Sequence, residues 1–378
     1  MQQQQSYQVA IIGGGLAGLT LAVQMADAGH STVLFEKNKY PFHKVCGEYI
    51  SNESWNFLER IGIPLNQLDL PQIRQLNVSS PSGNAMSHRL EQGGFGISRY
   101  SLDKKLADLA KEKGVMVFDG CTVKEIDFNT NEFHISTEQG IYKAEICVGS
   151  WGKKSMLDTR LGRKFTLGTK PEKNYVGIKY HVRIPFPDDL IELHNFENGY
   201  CGISRIEDGK CCLCYLCDSD DLKRHKGDIR KMEEELLMKN PFLKKYFNEA
   251  EFLFDAPLAI SQIRIGEKSA VEDHILMLGD TAGNIAPLSG NGMSMAMRSS
   301  HALAGMLTHY FSAGNDRAKL EHSYTRFWRS QFRIRIKFSV LLQGMLKNTS
   351  LTNLTISALK TIPFLRKAIV RATHGKPF

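Results

Sequence analysis

Val9-Ala10-Ile11-Ile12-Gly13-Gly14-Gly15-Leu16-Ala17-Gly18 decides the fold. An apolar run, Val9 to Ile12, suits a buried strand, and the pattern from Leu16 to Ala28 suits a helix, so the three glycines of the Gly-x-Gly-x-x-Gly spacing lie where strand turns into helix. Gly13 permits the tight turn, Gly15 lets a diphosphate approach the backbone, and Gly18 lets helix and strand pack closely. Leu16 and Ala17 open the helix, whose free N–H groups and positive dipole end point at an anion. A second strand, Thr32-Val33-Leu34-Phe35, delivers Glu36 and Lys37. Glu36 follows Gly18 by 18 residues, where a carboxylate accepts hydrogen bonds from ribose hydroxyls. The spacing predicts an α/β, Rossmann-type domain.

Some 265 residues downstream, Asp273-His274-Ile275-Leu276-Met277-Leu278 reads as a strand with Gly279-Asp280 at its carboxyl end, where open α/β sheets bind ligands. Asp280 is placed to bond a ribitol hydroxyl. The loop Ala286-Pro287-Leu288-Ser289-Gly290-Asn291-Gly292-Met293 then leads into a small-residue helix from Ser294 to Leu307. Its N–H groups suit the pyrimidine edge of a flavin and the negative charge that develops there on reduction. Together the two glycine segments predict FAD, held by Gly13, Gly15, Leu16, Ala17, Gly18, Glu36, Lys37, Gly279, Asp280, Pro287, Gly290, Asn291, Gly292 and Met293.

On these residues, and on Lys44-Val45-Cys46-Gly47-Glu48 and Ser98-Arg99-Tyr100-Ser101-Leu102-Asp103, the first 310 residues or so resemble the FAD-dependent oxidoreductases of the para-hydroxybenzoate hydroxylase superfamily, in particular its geranylgeranyl reductase branch. Where that family usually carries Asp-Gly a few residues before a serine, this chain has Trp151-Gly152, and no role is carried over to position 151. The resemblance implies that Cys46 and Gly47 lie against one flavin face, that Lys44 contacts the cofactor, that Arg99 braces it or admits NAD(P)H, and that Tyr49, with Glu48, lines the same cavity. Cys46 and Tyr49 are the catalytic candidates. No second dinucleotide fingerprint is present, so NAD(P)H is expected as a transient reductant.

The resemblance leaves two main chemistries. The first is NAD(P)H-driven monooxygenation of a hydrophobic aromatic or polyketide-like substrate, and the second is reduction of a lipid or polyene double bond, to which the Lys44–Glu48 segment points. Electron transfer to a docked partner is a further alternative. A related halogenase signature, Trp-x-Trp-x-Ile-Pro, would fall near Tyr200–Arg205, which has neither its tryptophans nor its proline.

A chain of 378 residues with 42% apolar content predicts two or three domains. The flavin domain is expected to be discontinuous, over 1–75, 99–165 and 265–312, with a substrate domain over 76–98 and 166–264. In the latter, Tyr175–Val182 and Ile191–Phe196 alternate with period two, and Gly199–Ser204 and Cys211–Leu216 flank Glu207-Asp208-Gly209-Lys210, a hairpin turn. An antiparallel sheet roofing the flavin follows. Cys211, Cys212, Cys214 and Cys217 split between two faces of such a strand, so no metal site is expected, and His43, His181, His194 and His274 are expected to be hydrogen-bonded structural residues. Free thiols, no leader segment and no apolar run of ~18 residues predict a cytoplasmic protein.

From Arg317 to Phe378 there are thirteen Lys and Arg against one acid, Glu321, so this segment carries +12 and the rest −4. It is expected to form helices, Glu321 to Gln343 and about Ser350 to Ala372, as a basic helical segment over 313–378. Arginines beside aromatics suit a membrane surface, an acidic carrier protein, or a solvated helical cap. No nucleic-acid motif accompanies the charge.

Overall fold

The computed structural model describes residues 6–166, 174–286, 288, 290–345, 349–373 and 375–378. Two sheets organise them. The strands of the first, in spatial order, are Val271–Glu272, Ile275–Met277, Ile141–Gly149, Ser6–Ile12, Thr32–Glu36 and Met116–Asp119. From Ile275–Met277 onward the neighbours run parallel. A hairpin of Val123–Asn129 and Glu132–Thr137 packs antiparallel beside Ile141–Gly149. The helices Leu16–Asp27, Arg99–Glu112 and Gly292–Ser312 pack with this sheet into one core. Leu19, Leu21 and Val23 of the first helix are fully buried there, each worth about 1.5–3 kcal/mol of transfer free energy. Thr20 Oγ1 donates to Ser300 Oγ at 2.9 Å, fastening that helix to the last one.

The register brings the glycine segments together. Gly149 pairs with Ile12 on one side and with Met277 on the other, so the carboxyl ends of three neighbouring strands lie side by side and release Gly13, Ser150 and Gly279 into one cleft. The strand expected from Asp273 is shorter, Ile275–Met277. Asp273 and His274 have φ of 45° and 65° and form the turn of a hairpin with Val271–Glu272.

The second sheet runs Glu251–Phe252, Tyr175–Arg183, Cys211–Asp218, Gly199–Arg205, Leu190–Phe196, Gln72–Ser79, Ala85–Gly96 and Tyr49–Ser51, with Leu258–Ile263 also beside Tyr175–Arg183. It is mostly antiparallel. The expected hairpin forms, with Arg205 opposite Cys211 and Ile206 N–H donating to Lys210 O at 2.8 Å. Gln72–Ser79 crosses the boundary drawn at residue 75, and Tyr49–Ser51 pairs with Gly94–Gly96. The glycine-turn strands and this sheet are therefore threaded through each other by the chain.

The basic segment forms three helices, Arg317–Met345, Thr349–Thr361 and Pro363–Thr373. The second expected helix breaks at Ile362 because Pro363 lacks an N–H and disfavours helical backbone before it. Leu320, Tyr324, Trp328, Phe332 and Ile336 bury one face of Arg317–Met345 in the main core, and Tyr324 Oη donates to Met277 O at 2.6 Å.

Candidate active site

At the first turn each glycine has a distinct physical reason. Gly13 has φ of 108°, and a Cβ there would lie 2.4 Å from Ser150 O. A Cβ on Gly18 would lie 2.2 Å from Gly13 O. Gly15 is extended, and a Cβ there would meet only the ends of Arg99 and Lys44, each at 3.7 Å. That leaves a cradle open above the start of Leu16–Asp27, whose N-terminus has no side-chain cap. Two cations border it, together with free helix N–H groups. The donor set fits a diphosphate.

Arg99 and Lys44 share a buried carboxylate. Arg99 Nε and Nη2 donate to Asp103 Oδ1 and Oδ2, both at 2.8 Å, and Lys44 Nζ lies 3.1 Å from Oδ2. Burial would raise the Asp103 pKa, but the charges of Arg99 and Lys44 hold it below the ordinary carboxylate range. Ser98 caps this helix, its Oγ accepting from Ser101 N–H at 3.0 Å. Glu36 is buried. Its Oε2 accepts from Gly14 N–H at 2.9 Å and its Oε1 from Asn38 N–H at 3.0 Å and Asn38 Nδ2 at 2.9 Å, so it braces the glycine turn while Oε2 keeps a second lone pair. Lys37 is exposed beside it. Tyr40, whose Oη donates to Gly14 O at 2.6 Å, escaped the sequence reading because it lies 26 residues from its partner with no spacing rule to join them.

On the other side of the cleft, Gly279 has φ of 54° and packs against Ala17 and Ala296. Asp280 is half-buried, and its carbonyl accepts from Lys268 Nζ at 3.1 Å. Burial lowers the Lys268 pKa to about 8. Gly290 (φ 63°) and Asn291 precede the helix, which takes in Gly292 and Met293 as its first turn. Pro287 lies outside the described residues. Cys46 Sγ sits 3.6 Å from Met293 Sδ, which brings the Lys44–Glu48 segment to the same helix start, and Gly47 is exposed with open space where a Cβ would stand. Trp151 stands at the edge, its Nε1 donating to Asp158 Oδ1 at 2.9 Å.

Glu48 is where spatial assembly exceeds the sequence reading. It is fully buried, with φ of 56°. Its Oε1 accepts from Arg99 N–H at 2.7 Å and from Lys179 Nζ at 2.5 Å, and its Oε2 meets His181 Nε2 at 2.7 Å. Burial opposes ionisation, yet the bond from His181 and the charge of Lys179 keep the Glu48 carboxyl below its ordinary pKa. Lys179 and His181 alternate on one face of Tyr175–Arg183, opposite Cys214 and Cys212. Nothing in the spacing of positions 48, 179 and 181 announces their contact. Ligand atoms of Glu48, His181 and Cys212 lie within 4.8 Å of one another, and the ammonium of Lys179 already neutralises the carboxylate. Cys211 and Cys217 pack on the opposite face with Cys201, as the alternation implies.

The sheet face that carries Lys179 is apolar and aromatic beyond it. Tyr175, Tyr200, Leu216 and Ile263 cluster there with Leu193 and Ile260 of the same sheet and with Leu288 of the loop before the last glycine-segment helix. Tyr49 lies between Gly94 and Gly290, and its buried hydroxyl has no hydrogen-bond partner among the described residues. Burial and the nearby Glu53 raise its pKa, so it is a neutral donor at physiological pH.

Residues 6–191 match the family model of the FAD binding domain. The chain is 26% identical over 361 residues to conditioned medium factor receptor 1 of Dictyostelium discoideum, spanning 86% of this chain and 68% of that protein. It is 23% identical over 350 residues to kynurenine 3-monooxygenase of Flavobacterium johnsoniae (85% and 76%). It is 24% identical over 360 residues to digeranylgeranylglycerophospholipid reductase 2 of Methanothermobacter thermautotrophicus (90% and 88%). The same fold occurs in a geranylgeranyl bacteriochlorophyll reductase-like protein of Thermoplasma acidophilum, with TM-score 0.81 at 17% identity over 98% of this chain and 96% of that one. With this cleft and this match, the chain is an FAD-dependent oxidoreductase similar to both hydroxylase-type monooxygenases and geranylgeranyl reductases.

Proposed function

We propose that the enzyme is an NAD(P)H-driven monooxygenase acting on a hydrophobic aromatic or polyketide-like substrate. The aromatic and apolar sheet face carries this reading: Tyr175 and Tyr200 cluster with Leu216 and Ile263, side chains of the kind that bind a planar hydrophobic ring. The diphosphate of FAD rests on the cradle at Gly13, Gly15 and Gly18 between Arg99 and Lys44. Glu36 and Lys37 lie at its ribose end, and Asp280 serves the ribitol. Gly290 to Met293 hold the pyrimidine edge at the helix start, with Cys46 and Gly47 beside the ring. When bound, FAD supplies the electron chemistry, while the sheet excludes water and Tyr49 offers a hydrogen bond to a substrate oxygen.

A second reading, reduction of a polyene or prenyl double bond, is favoured by the Lys44–Glu48 segment and by the half-buried Cys46 thiol beside Met293. The basic face of 317–378 serves either reading by bringing the enzyme to an acidic surface that presents a hydrophobic substrate. The reaction is tested by incubating the yellow protein with NADPH, air and either a long-chain phenol or a polyene, then weighing the products. Gain of one oxygen atom supports monooxygenation, and gain of two hydrogens transfers the assignment to the second reading. Failure of either nicotinamide to bleach the flavin leaves electron transfer from a protein donor.

A further inference from the structure

The helix Arg317–Met345 has two unlike faces. The inner one belongs to the core. The outer one presents Arg326, Arg329, Arg333 and Lys337 at three- and four-residue spacing, and these side chains border an open groove of about 790 Å³ that also contains Ile334. Arg333 bridges to Glu267 at 3.3 Å. Further along the same face Val340 and Leu341 follow Lys337 at the same spacing. Ile334 is 79% exposed and Leu341 62%. The next two helices add Leu354, 68% exposed, and Phe364, 81% exposed at the start of Pro363–Thr373. A basic row running into bare apolar side chains is not the composition of a merely solvated face.

We propose that this outer face docks the enzyme on a lipid bilayer rich in anionic phospholipid, a partner that rests on the hydrophobic-substrate reading above. Headgroup phosphates complement the arginine row, each Lys or Arg near such a surface strengthening binding about fivefold. Ile334, Leu341 and Phe364 enter the boundary between headgroups and acyl chains. An acidic carrier protein would meet the arginines and leave those three side chains in water, which is why the bilayer is the better fit. Among the described residues no helix is long and apolar enough to cross a membrane, so the contact lies in the interface plane. The substrate then passes from the bilayer to the flavin cavity without crossing water.

The test is sedimentation of the full FAD-loaded chain with vesicles of phosphatidylcholine alone and of phosphatidylcholine mixed with phosphatidylglycerol. Binding is expected to the mixed vesicles, weakened by high salt. The triple variant Arg326→Glu, Arg329→Glu, Lys337→Glu should lose at least about a hundredfold in partitioning. The triple variant Ile334→Ser, Leu341→Ser, Phe364→Ser should lose about tenfold or more. Both variants change surface positions only and should keep the flavin spectrum and the melting temperature. Equal binding to both vesicle types, variants that bind like the parent, or capture of an acidic carrier protein without vesicle binding would each overturn the proposal. The readout needs no turnover, so loss of vesicle binding with an intact flavin spectrum and NADPH bleaching refutes the docking alone.

Discussion

Gly15 and Gly13 make opposite predictions although they stand two residues apart. At Gly15 a methyl group meets only the ends of Arg99 and Lys44, each at 3.7 Å and in ordinary contact, so Gly15→Ala should leave the melting temperature of the cofactor-free protein unchanged. It should weaken FAD binding roughly tenfold, about 1.4 kcal/mol, because the methyl occupies the diphosphate approach. At Gly13 the left-handed backbone and the contact with Ser150 O make Gly13→Ala destabilising even without cofactor. Equal loss of cofactor-free stability in both variants, by calorimetry, would contradict this division. Tyr49→Phe removes a buried hydroxyl that lacks a partner, so stability should hold or rise by up to about 1 kcal/mol, while turnover falls if the hydroxyl serves the substrate. A drop in stability on denaturant melting would show a missed structural bond instead. Glu48 carries the largest single-residue stake. Losing one partner of its buried ion pair costs about 3–5 kcal/mol, so Glu48→Gln and Lys179→Met should each be severe, and the double variant should recover part of the loss. Strictly additive losses in urea melts would refute the coupling.

At the scale of elements, the helix Ile229–Glu235 is expected to carry a pH dependence with a definite sign. Tyr180 and Tyr215 donate to Glu233 Oε1 at 2.9 and 2.7 Å, and burial raises the Glu233 pKa from 4.5 to about 7. The folded chain therefore holds this proton more tightly than the unfolded one. Stability from it is fully present below pH 4.5 and is lost as pH rises through about 7. Glu233→Gln, which cannot ionise and still accepts both hydroxyls, should stabilise the protein by about 1–3 kcal/mol at pH 8 and by little at pH 4.5. Thermal melts at the two pH values check this, and an equal effect at both would rule it out. Elements were also the best-read scale. The strands and helix around Gly13–Gly18 and the hairpin at 207–210 follow from periodicity and turn residues, because those signals are local. The turn at Asp273-His274 and the break at Pro363 are local too, but an apolar run on one side hid the first and the helical pattern continuing past it masked the second. The contacts of Glu48 with Lys179 and His181, and of Tyr40 with Gly14, depend on tertiary approach, and no one-dimensional spacing encodes them.

Across the whole molecule the basic segment is not an appendage. Tyr324, Trp328, Phe332 and Ile336 lie in the main core, so deleting residues from 317 onward should expose that apolar surface and give insoluble protein, whereas charge reversal on the outer face should not. Recovery of a soluble, flavin-binding truncated chain, judged by gel filtration, would show that the helix is dispensable. The threading of the two sheets has a temporal corollary. Gly13 leaves the ribosome early, but its partners at Gly279 and in the helix Gly292–Ser312 are made some 265 residues later, and sequence-distant pairings form slowly. A cleft complete for the nucleotide therefore does not exist until Gly279 and the helix Gly292–Ser312 have been made. Loading is a late event, and its yield in overproducing cells should follow intracellular riboflavin supply.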